Sequence, residues 1–131
     1  MGVRIDTRTV LAAGAVALGV SLASLVAYAV VDAIVSFDTD SNWPFAFYAV
    51  ILLGMALGGR LAGRARPYAP LAHGSLAALG TMGVIAVISV VIDVVLGNDI
   101  VDNLVKLVAQ IPVPVAVSAF SAYVAARYAT R

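Results

Sequence analysis

Apolar residues fall along this chain in long blocks separated by short polar clusters, without the two-residue alternation of a half-buried strand. A bilayer core of ~30 Å needs about 20 apolar residues at a rise of ~1.5 Å each. Four blocks meet or approach that length: about Thr9 to Phe37, Pro44 to Gly63, Leu71 to Leu96, and Ile111 to Tyr128. The pattern predicts an all-α integral membrane protein, a bundle of four transmembrane helices forming one domain over 1–131. Pro44, Pro112 and Pro114 sit in first turns, where a missing N–H costs nothing, and Pro67 and Pro70 fall between spans two and three.

The connection from Asn98 to Gln110 has a different period. Val101, Leu104, Val105 and Val108 share one helical face, opposite Asp99, Asp102, Asn103 and Lys106. This predicts a short helix near 99–109 lying in the outer interface, with Asn98 as N-cap and Asp99 in its first turn.

Composition agrees with a bilayer. The chain is 63% hydrophobic and 11% charged, so lipid must cover most of its surface. A net charge of +1 supplies no basic field for nucleic acid, which is not an expected partner. Cysteine is absent, which excludes disulfides and thiolate chemistry.

Charge position matters more than net charge. Arg4, Arg8, Arg60, Arg64, Arg66, Arg127 and Arg131 share one side of the four spans, seven of the eight basic residues. Asp32, Asp38, Asp40, Asp93, Asp99 and Asp102 lie on the other, with Lys106. Basic residues near span ends are retained in the cytoplasm, so the expected topology is multi-pass in the plasma (inner) membrane with both termini cytoplasmic. Arg4 and Arg8 before an apolar run, with Ala27-Tyr28-Ala29 beyond, also fit a signal peptide, but the apolar run continues through Val35.

The halves repeat. Leu11-Ala-Ala-Gly14 recurs as Leu71-Ala-His-Gly74, Leu18-Gly19 as Leu79-Gly80, Val30-Val31-Asp32 as Val91-Ile92-Asp93, and Arg60-x-x-x-Arg64 as Arg127-x-x-x-Arg131. Two tandem hairpins, about 9–66 and 69–131, are expected to be related by a pseudo-two-fold along the membrane normal. Small residues spaced four apart predict close helix contacts through Ala15, Gly19, Ala23 and Ala27 on span one, Gly54, Gly58 and Ala62 on span two, and Ser118, Ala122 and Ala126 on span four.

Intramembrane ionisable residues are the first candidates for chemistry, because a charge near the bilayer centre costs at least ~2.5 kcal/mol. Asp32 and Asp93 occupy equivalent places in the repeat and could bind a proton or cation, although both lie near the outer ends of their spans, where a hydrated interfacial carboxylate is the plainer reading. The outer Asp38, Asp40, Asp99 and Asp102 have no recognised cation-loop spacing. On the inner side, Arg60, Arg64, Arg66 and Arg127 suit anionic lipid headgroups or serve as topology signals. His73, the single histidine, reads as a tolerated interfacial residue. Trp43, Phe45, Phe47 and Tyr48 at one side, and Tyr68, Tyr123 and Tyr128 at the other, read as interfacial belts. There is no serine placed near a base, phosphate loop or His-rich metal spacing, so neither an enzyme nor a cofactor or metal is expected.

The inner connection reads Gly58-Gly59-Arg60-Leu61-Ala62-Gly63-Arg64, then Pro67 and His73-Gly74. Here the chain resembles a broad group of small uncharacterised bacterial four-span membrane proteins that share a Gly-Gly-x-x-Ala-Gly…His-Gly pattern over spans two and three. The resemblance implies the fold and carries no activity with it. Usage rich in Ala, Val and Arg also resembles that of high-GC bacteria. The resulting expectation is a non-enzymatic accessory or scaffold protein, in contact with membrane lipid and packing with itself as a homo-oligomer or in a larger membrane complex. The alternative is a small oligomeric transporter or channel using Asp32 and Asp93.

Overall fold

The computed structural model describes residues 3–36 and 42–131; these are helical apart from short connections and contain no strand. Five helices follow in order: α1 (Thr7–Val35), α2 (Trp43–Ala65), α3 (Pro70–Leu96), α4 (Ile100–Gln110) and α5 (Pro112–Ala129). Four are long and apolar enough to cross a membrane, the fourth being the stretch Ile100–Ala129, which breaks at Ile111 into α4 and α5. Pro70 belongs to the first turn of α3 rather than to the loop before it. Its ring fixes a helical φ at a position that has no intrahelical N–H bond to lose.

The bundle is apolar outside and small inside. Its buried positions are Ala13, Ala17, Met55, Ala62, Ala77, Ala78 and Ala122, while Leu11, Leu53, Val87 and Phe120 are each more than half exposed. Water would penalise that arrangement, but hydrocarbon does not, and small interiors let helix backbones touch.

Glycine decides where they touch. A Cβ on Gly58 would stand 2.6 Å from the Ala13 carbonyl oxygen of α1, and one on Gly59 or Gly63 would stand 2.1 or 2.0 Å from the Ser118 or Ala122 carbonyl oxygen of α5. On α3, Gly74 meets the same turn of α5. The four glycines of the Gly-Gly-x-x-Ala-Gly…His-Gly pattern are therefore positions at which α2 and α3 pass other backbones too closely for a side chain. Hydroxyls bind the adjoining carbonyls: Ser118 Oγ donates to Gly74 O at 2.8 Å and Thr81 Oγ1 to Gly14 O at 3.2 Å.

The expected stripes on α2 and α5 are buried, but Ala15, Gly19, Ala23 and Ala27 of α1 are exposed. The buried face of α1 is instead Thr9, Ala13, Ala17, Ser21 and Ser24. Span one carries small residues on several faces, so spacing alone did not single out the packed one.

The helices form a rhombus. A two-fold exchanging α1 with α3 and α2 with α5 turns the α2–α3 contact into an α1–α5 contact; among the described residues the first exists and the second does not. Helices α2 and α3 form the short diagonal, with α1 and α5 at the far corners.

Candidate functional site

Two polar junctions, each built around a buried side chain, His73 in one and Asp93 in the other, lie at opposite ends of the bundle. At the end carrying the arginines, α1 begins with Asp6, an acid overlooked in the charge pattern that set orientation. Its extended backbone (φ −88°, ψ 98°) makes it the N-cap. Asp6 Oδ1 accepts from the Arg8 backbone N–H at 3.1 Å and Oδ2 from Thr9 Oγ1 at 2.8 Å. Oδ2 also accepts from Arg66 Nε at 2.6 Å and is ion-paired with the other side of the same guanidinium. The Thr9 hydroxyl and Arg66 together hold the Asp6 carboxyl down at about 2.

His73, read from sequence as a tolerated interfacial residue, is buried inside the bundle and completes this junction. It is fully buried, with Nε2 accepting the Asp6 backbone N–H at 3.0 Å and Nδ1 lying 2.7 Å from Ala69 O. A carbonyl only accepts and an amide only donates, so both contacts assign the neutral Nδ1–H tautomer. Every polar atom is then used: the histidine lone pair faces a backbone amide, and the threonine proton faces a carboxylate. The chemistry is that of a clasp joining the starts of α1 and α3 to the end of α2.

At the opposite end, Asp93 is 6% exposed, and its Oδ1 accepts from Asn103 Nδ2 at 3.0 Å and Asn98 Nδ2 at 3.3 Å. Its backbone carbonyl accepts from Asn98 N at 2.9 Å across Gly97, whose φ of 71° closes α3. Asn98 thus caps nothing in α4. The N-cap is Asp99, whose Oδ1 accepts the Asp102 N–H at 3.1 Å. The one-residue shift arises because Asn98 is claimed by Asp93.

Asp32 is half-buried on α1, one turn beyond Tyr28, whose ring meets Phe47 of α2 edge-on at 5.3 Å. The bonds of Asp93, in contrast, run to Asn98 in the turn before α4 and to Asn103 on α4. Asp38 and Asp40 lie outside the described residues. Among the described residues no three His, Asp or Glu side chains gather as a metal site.

The arginines divide in two. Arg66 is committed to Asp6. Arg60, Arg64, Arg127 and Arg131 are paired with no carboxylate among the described residues; Arg127 lies over the Tyr123 ring at 5.7 Å and Arg131 over Tyr128 at 5.8 Å.

Comparison with protein-family models, curated proteins and solved structures returns no match. Sequence reasoning missed Asp6, Thr9, Asn98 and Asn103 as partners. Asp6 and Thr9 had a local signal, an acid and a hydroxyl three residues apart ahead of an apolar run. The asparagines had none, because their partner lies across a turn.

Proposed function

We propose that this chain is a non-enzymatic accessory or scaffold protein of the plasma membrane that packs with itself or with a larger membrane partner. The observation that carries this reading is the uncovered small-residue face on α1 and α3. Gly19, Gly80 and Gly83 have no atom within 4 Å of a built Cβ, and a groove of about 350 Å³ runs between Leu11, Gly14 and Leu18 on one helix and Leu76, Gly80 and Val84 on the other. Another helix can approach such a face closely. The polar junctions support the same reading, since those of Asp6 and Asp93 join helices to one another.

The orientation with both termini cytoplasmic follows from the arginine bias. Helix α4 lies in the outer interface: Val101, Val105 and Val108 are more than half exposed along one face, opposite the exposed Asp102–Lys106 pair. The hairpins descend from one duplicated hairpin whose two-fold was lost at the α2–α3 diagonal.

Affinity purification in mild detergent, with native mass determination, tests the reading. A stoichiometric membrane partner or a defined homo-oligomer that Gly19→Leu or Gly80→Leu disperses supports it, and a bare monomer at all concentrations overturns it. A transporter reading has one observation in its favour, the burial of Asp93. Cation or proton flux in vesicles that Asp32→Asn and Asp93→Asn abolish would establish it instead.

A further inference from the structure

We propose that the groove between α2 and α5 at the basic end binds one anionic phospholipid, with its phosphate on Arg60 and Arg64 and an acyl chain along Leu53, Leu57, Phe120 and Val124. This goes beyond the scaffold reading and stands without it.

The groove holds about 460 Å³ and has a built-in polarity. On α2, Leu53, Leu57, Arg60 and Arg64 follow one another at helical spacing; on α5, Phe120, Val124 and Tyr128 do the same. All seven line the groove. Its walls are thus hydrocarbon for roughly 10 Å toward the bilayer centre, about seven helical steps of ~1.5 Å from Leu53 to Arg60, and turn basic and phenolic at the end. An amphiphile has that same order of parts.

Charge names the headgroup. Arg60 and Arg64 come from one half of the chain and Tyr128 from the other, and the Gly59 and Gly63 contacts with Ser118 and Ala122 set them around one opening. A second groove of about 250 Å³ shares Phe120, Val124 and Tyr128 and adds Arg127 and Arg131, so four arginines surround the shared aromatic ridge. Arg66, in contrast, is neutralised by Asp6 and drops out of the lipid-contact set expected from sequence. A phosphodiester satisfies two guanidiniums one helical turn apart, which water-exposed topology signals do not require.

The test uses the full chain in mild detergent, with native mass spectrometry of adducts with phosphatidylglycerol and, separately, phosphatidylcholine of the same chains. The expected result is selective retention of phosphatidylglycerol. Arg60→Gln with Arg64→Gln should weaken it about 30-fold, two arginines' share of an anionic contact, with phosphatidylcholine unchanged. Arg4→Gln with Arg8→Gln removes the same charge from the same end outside the groove and should leave retention intact. Equal binding of the two lipids, or an equal loss in the Arg4/Arg8 pair, overturns the site in favour of diffuse attraction. Binding of glycerophosphate without acyl chains as tightly as the lipid overturns the acyl assignment. If the Gln pair fails to fold, Phe120→Gln, at a ring 67% exposed, must still reduce retention, and unchanged retention there refutes the proposal.

Discussion

The stripes Gly54–Gly58–Ala62 of α2 and Ala15–Gly19–Ala23–Ala27 of α1 obey the same spacing rule and have opposite fates. The first is buried against α1 and the second faces outward. At Gly58 an added Cβ meets backbone at 2.6 Å, and at Gly19 it meets nothing within 4 Å. A small residue permits close approach without requiring it; whether a helix arrives depends on the rest of the bundle. Here α2 has neighbours on three sides and α1 on two, so α1 keeps a small face to spare.

The comparison breaks most sharply at glycine. Gly63→Leu places side chain into the Ala122 backbone, which cannot yield as a flexible side chain would, and should destabilise the bundle by about 3 kcal/mol or more. Thermal unfolding in detergent measures this, and a near-native midpoint would show that the α2–α5 seam is looser than described. Gly19→Ala should instead be neutral or stabilising by up to about 1 kcal/mol, because helix propensity is gained and nothing is displaced.

Next come the two junctions. Asp93→Leu leaves the Asn98 and Asn103 amides without their acceptor and should cost about 1–3 kcal/mol, felt as faster hydrogen exchange in α4 with α1 and α2 unchanged. His73→Leu, closer to histidine in volume than an aromatic replacement, removes the acceptor for the Asp6 N–H, a loss of about 1 kcal/mol read as faster exchange in the first turn of α1. Uniform acceleration across all helices would mean that the clasp holds the whole fold.

The smallest effect is with pH. The Asp6 carboxyl is held near 2, below its unfolded value of about 3.9, so its contribution is complete above the unfolded value and is lost as pH falls through the folded one. Exchange in the first turn of α1 should therefore be insensitive to the Asp6→Asn substitution below pH 2. The difference between native and variant should grow between about 2 and 4 and stay constant above. A difference that opens only near neutrality would assign the effect to another group.

Much of this was legible in the chain itself. Four apolar blocks, prolines at the starts of the second and fourth, and arginines gathered on one side need no tertiary information, because length, the missing proline N–H and charge distribution are local properties. The α2 and α5 stripes were also readable and are buried, although the second small face of α2, Gly59 and Gly63 against α5, was not part of the stripe that the spacing suggested. Helix α1 offers several, and its buried face was not the one the spacing suggested.

The candidate sites were less legible for the same reason. Asp32 and Asp93 end similar stretches of sequence, yet Asp32 is half-buried on α1 and Asp93 is buried and held by amides beside α4. Arg60, Arg64 and Arg66 sit within seven residues of one another, and only the start of α1 distinguishes the paired arginine from the two left open. Sequence alone determined that the chain carries four apolar stretches long enough to cross a membrane, with arginines gathered at one end of them and most of the acids at the other. The tertiary structure decided which small face is spent on packing, which carboxylates are consumed as clasps and which arginines keep their charge. Those outcomes depend on partners brought together by the fold, as Asp6 depends on Arg66 and His73 and Asp93 on asparagines across the turn into α4.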